Sequence, residues 1–75
     1  VRFAAYTRDH LPPHVHGFYA GIEVIVDIED GVVRLSRRKD AIDPRGAKRS
    51  DVNHVLTTAT RYANEMVELW RKARG

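Results

Sequence analysis

The sequence predicts an α+β fold, a four-stranded antiparallel β-meander packed against one long C-terminal α-helix. Three observations carry that prediction. Residues 22–28 alternate, with Ile22, Val24, Val26 and Ile28 on one side and Glu23, Ile25 and Asp27 on the other, the period of a strand with one face in a core. Asp30-Gly31 follows at once and supplies the positive φ that a two-residue hairpin turn needs. From Val52 onward, Val55, Leu56, Ala59, Ala63, Met66, Trp70 and Ala73 recur at the i, i+3, i+4 spacing of an amphipathic helix.

The elements follow in order. Residues 2–7 alternate, with Phe3, Ala5 and Thr7 opposite Ala4 and Tyr6, and read as a first strand. Pro12-Pro13 forbids a helix and makes the next segment an extended or turning loop. Residues 14–19, rich in aromatic and β-branched side chains, form a second strand, and Ala20-Gly21 turns it into the third, at 22–28. Residues 32–35 return as the fourth strand. Residues 36–49 form a basic connector broken by Pro44 and Gly46. Ser50 is placed to cap a helix over about 51–73, with Asp51 in its first turn and Arg71, Lys72 and Arg74 near its last, each favourable to the helix dipole. Arg61 with Glu65 and Glu68 with Lys72 are spaced for ion pairs on the solvent side. Residues 1–75 form a single domain on this reading.

A chain of 75 residues buries a modest core, so a metal or a partner subunit, including a second copy, would supply stability that packing alone does not. It has no cysteine, which excludes disulfides and thiolate metal sites and fits a reducing, cytoplasmic compartment. The most apolar stretch carries Glu23 and Asp27, so no membrane-spanning run is expected. The net charge is +3, and its distribution says more than its size. Arg34, Arg37, Arg38, Lys39, Arg45, Lys48 and Arg49 fall within sixteen residues that hold two acids, Asp40 and Asp43. Such a strip is either a solvated face or a contact for a nucleic-acid backbone, with Arg37, Arg38, Lys39, Arg45, Lys48 and Arg49 on the phosphates.

Chemistry concentrates in Asp9-His10-Leu11-Pro12-Pro13-His14-Val15-His16, which holds three of the four histidines and two of the three prolines. His14 and His16, two apart on a strand, present their imidazoles on one face about 6–7 Å apart at the backbone, close enough to share an ion. His10 lies across the Pro-Pro bend as a third ligand, and Asp9 is either a fourth or the acceptor that fixes a histidine tautomer. Such a set would suit a divalent metal such as zinc with a position left open for hydrolysis. Two readings need no metal. His14 and His16 can act as catalytic acid–base groups or phosphate donors, or Asp9 can cap a turn beside two solvent-facing histidines. His54 reads as a surface histidine and Trp70 as core.

An aromatic-containing first strand, the Asp9-His10-x-Pro12-Pro13-His14-x-His16 segment, an aliphatic strand ending in Asp27-Ile28-Glu29 and a closing helix with Glu68-x-Trp70 together resemble the small bacterial domain-of-unknown-function family numbered four-one-six-zero. Its hallmark is Pro-Pro-His-aliphatic-His, and the resemblance covers nearly the whole chain. Genes of that family commonly neighbour a second small gene in what looks like a toxin–antitoxin pair. The resemblance therefore implies a component of a toxin–antitoxin-like two-protein system that acts through a partner protein encoded nearby, with His14 and His16, and His10 beside them, as its functional surface. The alternatives are a small metal-dependent hydrolase such as a ribonuclease, and a non-catalytic adaptor that binds protein through an exposed sheet edge.

Overall fold

Two tight turns organise the sheet. Ala20 and Gly21 have φ of 51° and 79°, and Asp30 and Gly31 have φ of 52° and 77°. Positive φ at both central residues gives a turn whose twist matches that of paired strands. The computed structural model describes residues 1–74; Gly75, the end of the unit expected over 1–75, lies outside the described residues. In chain order the elements are β1 (Arg2–Ala4), β2 (His14–Tyr19), β3 (Ile22–Glu29), β4 (Val32–Leu35), β5 (Ile42–Asp43), α1 (Arg49–Arg61) and α2 (Ala63–Arg74). The sheet runs β1-β2-β3-β4, antiparallel throughout, with β5 also paired to β3. The α+β class and the four-strand meander are as the sequence predicts.

The register decides which side chains meet. Val15 faces Val26, Gly17 faces Val24 and Tyr19 faces Ile22, and this face packs on the helices. Val52, Val55 and Ala59 of α1 and Met66 and Trp70 of α2 are buried in the same cluster as Val15, Val24 and Val26. Strand alternation puts His14, His16 and Phe18 on the opposite face, beside Asp27, Ile25 and Glu23.

Three elements depart from the sequence reading. The first strand stops at Ala4 instead of running to residue 7. A local turn competes for its backbone: the Asp9 amide donates to the Tyr6 carbonyl at 3.1 Å, and the Tyr6 amide donates to Asp9 Oδ2 at 3.2 Å. The 36–49 segment is more than a connector. After β4 the Ser36 amide donates to the Ile25 carbonyl, residues 37–40 loop out, and the chain returns where the Ile25 amide donates to the Ala41 carbonyl. β4 and β5 are thus one interrupted strand along the same edge of β3, and Ile25 is buried although it faces away from the helices.

The single long helix is two helices. Tyr62, between them, leaves helical geometry at φ −111°, ψ 38°. Just before it, Thr58 Oγ1 donates to the His54 carbonyl and Thr60 Oγ1 to the Leu56 carbonyl, both at 2.8 Å. Hydroxyls that bond back one turn compete with the backbone ladder and bend helices. The bend lets α1 cross β2, β3 and β4 while α2 packs on β2. The helix also starts earlier than Ser50 implies, because Lys48 is the extended capping residue and no side chain caps it. On the solvent side Glu68 pairs with Arg71 at 3.2 Å instead of Lys72, and among the described residues Arg61 and Glu65 form no ion pair. None of the described helices is long and apolar enough to cross a membrane.

Candidate metal centre

β2 opens with His14, and the pleat returns His16 to the same face, with ring centroids 5.2 Å apart. The turn that ends β1 folds Asp9 over both rings. Asp9 Oδ2 lies 3.3 Å from His14 Nε2 and 3.2 Å from His16 Nε2. One ligand atom from each of Asp9, His14 and His16 falls within 4.8 Å of the others. His14 is 1% exposed, so the group is set into the protein and open mainly along Asp9 and His16.

The remaining ring nitrogens are engaged away from Asp9. His14 Nδ1 is 2.8 Å from the Pro12 carbonyl oxygen, and His16 Nδ1 is 2.7 Å from Glu23 Oε2. A carbonyl or a carboxylate can only accept, so these partners assign the proton of each neutral ring to Nδ1. Each Nε2 is then a lone pair aimed at a carboxylate oxygen that is itself an acceptor. Three lone pairs converging at this range repel unless positive charge enters among them, either as a proton on each Nε2 or as a cation. Metal-bound histidines show the same pattern, the distal N–H donating to a carbonyl or carboxylate that fixes ring orientation. Two imidazoles and a carboxylate suit zinc and neighbouring divalent transition metals, and three protein ligands leave a coordination position open.

Aromatic packing holds the rings. Tyr6 lies 5.0 Å from His16, and Trp70 of α2 lies 5.4 Å from His14, centroid to centroid. Arg74 closes the arrangement from the end of α2: its Nη1 donates to the Asp9 carbonyl at 3.0 Å, and its guanidinium sits over the Trp70 ring.

Of the residues singled out in the sequence, Asp9, His14 and His16 come together, while His10 is exposed and outside the group. His54 is exposed and stacks on Tyr19. The basic strip divides. Arg38, Lys39 and Arg45 line a cleft of about 380 Å³ whose other walls include His16 and Glu23. Arg37 joins Arg38 on a different cleft, and Lys48 and Arg49 lie exposed at the start of α1. Glu23 is the functional side chain that the sequence reading omitted. Its signal was present, because a two-residue turn at 20–21 pairs 18 with 23 and 16 with 25, which sets Glu23 diagonal to His16 on one face.

No curated protein and no solved structure matches the chain. A family model does, that of Domain of unknown function (DUF4160), over residues 1–71. With the match spanning the sheet, the histidine segment, α1 and the first three-quarters of α2, the chain belongs to the DUF4160 family.

Proposed function

We propose that this chain is a small metal-dependent hydrolase of RNA phosphodiesters, with Asp9, His14 and His16 holding a divalent transition metal such as zinc. The observation that supports it best is the convergence of a carboxylate oxygen with two imidazole nitrogens whose ring N–H groups are already committed to Pro12 and Glu23. When bound, such a metal would supply Lewis acidity and a water activated near neutral pH. The chain's own groups supply the rest. Pro12 and Glu23 orient the two imidazoles. Arg38, Lys39 and Arg45 line the cleft shared with His16 together with Glu23, Asp40 and Asp43, and these three basic side chains would contact the phosphates of a bound strand. The remaining basic residues, Arg37, Lys48 and Arg49, extend the attraction beyond it.

The test is a zinc titration of metal-stripped protein paired with cleavage of a short RNA. One equivalent of zinc is expected to bind, and cleavage is expected to disappear with a chelator and return with zinc. His16→Ala should lose both while keeping the circular dichroism of the wild type. Stoichiometric zinc without cleavage would overturn the hydrolase reading and leave a metal-binding module.

The biological setting that accompanies this reading is a toxin–antitoxin-like pair in the cytoplasm, with the chain acting through a partner protein encoded nearby. The resemblance given in the sequence analysis motivates it. So does β4, which ends the sheet order and leaves an edge with Val32 53% exposed, a strand to which a partner can add. Growth arrest on induced expression, relieved by the neighbouring gene, is the expected result. Absence of arrest in every combination removes the toxin role, and a stable complex without metal or cleavage leaves an adaptor.

A further inference from the structure

A second cleft, of about 520 Å³, shares Arg38 with the cleft beside His16. Its volume lies in the range that holds a small ligand. Pro12 and Pro13 form an apolar wall, held to the sheet by the Ile28 amide donating to the Pro13 carbonyl at 2.9 Å. Asp27, Glu29, Arg34, Arg37 and Arg38 supply the charges around it, the Glu29 carboxylate facing Arg34 at 3.6 Å.

Asp27 is the informative residue. Its Oδ1 is out of solvent and has no hydrogen-bond partner among the described residues. The nearest obvious donor is used elsewhere: Arg34, directly opposite Asp27 across the β3–β4 pair, reaches Glu29 at 3.6 Å. Ser36, buried in the same cleft, accepts from the Arg38 amide at 3.2 Å, and its hydroxyl makes no hydrogen bond to Asp27 Oδ1. A buried carboxylate oxygen is costly to leave unmet, and such atoms in native proteins mark the place of a water, an ion or a ligand donor. The terminal torsion of an aspartate is broad and two-fold, so a turn of the carboxylate would bring Oδ1 out to join Oδ2 against a molecule seated in the cleft.

We infer that this cleft binds a guanine nucleotide. Single-stranded RNA is read through the hydrogen-bonding edges of unstacked bases. Among the four bases, guanine alone presents two adjacent donors, N1–H and the exocyclic amino group, matching the two oxygens of one carboxylate. Adenine and cytosine place one amino donor beside an acceptor, and uracil sets its single donor between two acceptors. The base stacks on the Pro12-Pro13 wall, its donor edge meets Asp27, and its phosphate meets Arg37 and Arg38, whose fork of N–H groups suits phosphate oxygens. Arg38 lies on both clefts, so a strand bound here continues toward the Asp9–His14–His16 group. That continuity, and the choice of an RNA ligand, rest on the hydrolase reading, whereas the geometry of the cleft does not use the metal.

The experiment is calorimetric titration of the full chain, stripped of metal and held in chelator, with guanosine and adenosine 5′-monophosphates. The guanine nucleotide is expected to bind about tenfold tighter, the discrimination one bidentate base contact gives. Asp27→Asn, which keeps the shape of the side chain, should bring the two affinities to about parity with an unchanged melting curve. The Arg37→Ala, Arg38→Ala double variant should weaken both nucleotides alike and preserve their ratio. Equal affinities in the wild type, or a guanine preference that survives Asp27→Asn, overturn the assignment. Because no metal is present, a failed zinc site leaves this result standing, and failed nucleotide discrimination leaves the zinc site standing.

Discussion

Glu23 decides which nitrogen of His16 faces Asp9. By accepting from Nδ1 at 2.7 Å it holds the proton there and turns the Nε2 lone pair inward. His14 gets the same service from the Pro12 carbonyl, which no side-chain substitution removes. The two histidines therefore differ in a way mutation can expose. Glu23→Ala frees the His16 ring and its tautomer while leaving all three ligand atoms in place, and it should weaken zinc binding by about 10- to 100-fold. Competitive titration with a zinc-binding dye measures this, and an unchanged affinity would mean that ring orientation does not depend on Glu23. His10→Ala provides the contrast. Since His10 is exposed and outside the group, zinc affinity should stay at the wild-type value, and a large loss would restore His10 as a ligand.

At the scale of elements, α1 crosses β2 closely at Gly17. A Cβ there would lie 2.6 Å from Val55 Cγ1 and 2.9 Å from Phe3 Cε1, so one methyl group must push the helix or β1 aside. Gly17→Ala should destabilise the protein by about 1–3 kcal/mol, the usual cost of overpacking a filled core, seen as a lower urea midpoint with an unchanged slope. That contact was not legible in the sequence, because it depends on which helical residue meets which strand. What was legible is local. Asp30-Gly31 and Ala20-Gly21 fix their turns by φ alone, and the alternation through 22–28 fixes one buried face, so β2, β3 and β4 lie where the residues place them. β5 was not legible, since two residues carry no period and Ile42–Asp43 is a strand only because β3 has a free edge beside it. The bend at Tyr62 was hidden for another reason: the apolar spacing continues across it, from Ala59 through Ala63 to Met66, while its cause lies in two threonine hydroxyls on the outer side. The site divides the same way. Spacing along a strand puts His14 and His16 on one face, but Trp70 and Arg74 reach the site from the far end of the chain through tertiary packing that no local pattern announces.

For the whole molecule, the candidate metal centre lies where the two ends of the chain meet. Asp9 belongs to the loop after β1, His14 and His16 to β2, and Arg74 of α2 holds the Asp9 backbone. A cation at the group would tie that loop to the central sheet of a protein whose small core leaves little stability in reserve. A ligand that binds only the folded state stabilises it by mass action, and zinc at 100 times its dissociation constant adds about 2.7 kcal/mol. In a domain of this size that raises Tm by roughly 10–20 °C, readable by differential scanning calorimetry. A chelator should reverse the rise, and His16→Ala should show none of it. The pH dependence has a definite sign. Zinc needs the lone pairs at both Nε2 atoms and protons compete for them, so the zinc-induced rise should shrink as the pH is lowered. A rise of equal size in wild type and His16→Ala would place the bound zinc on surface groups elsewhere and remove Asp9, His14 and His16 as its ligands.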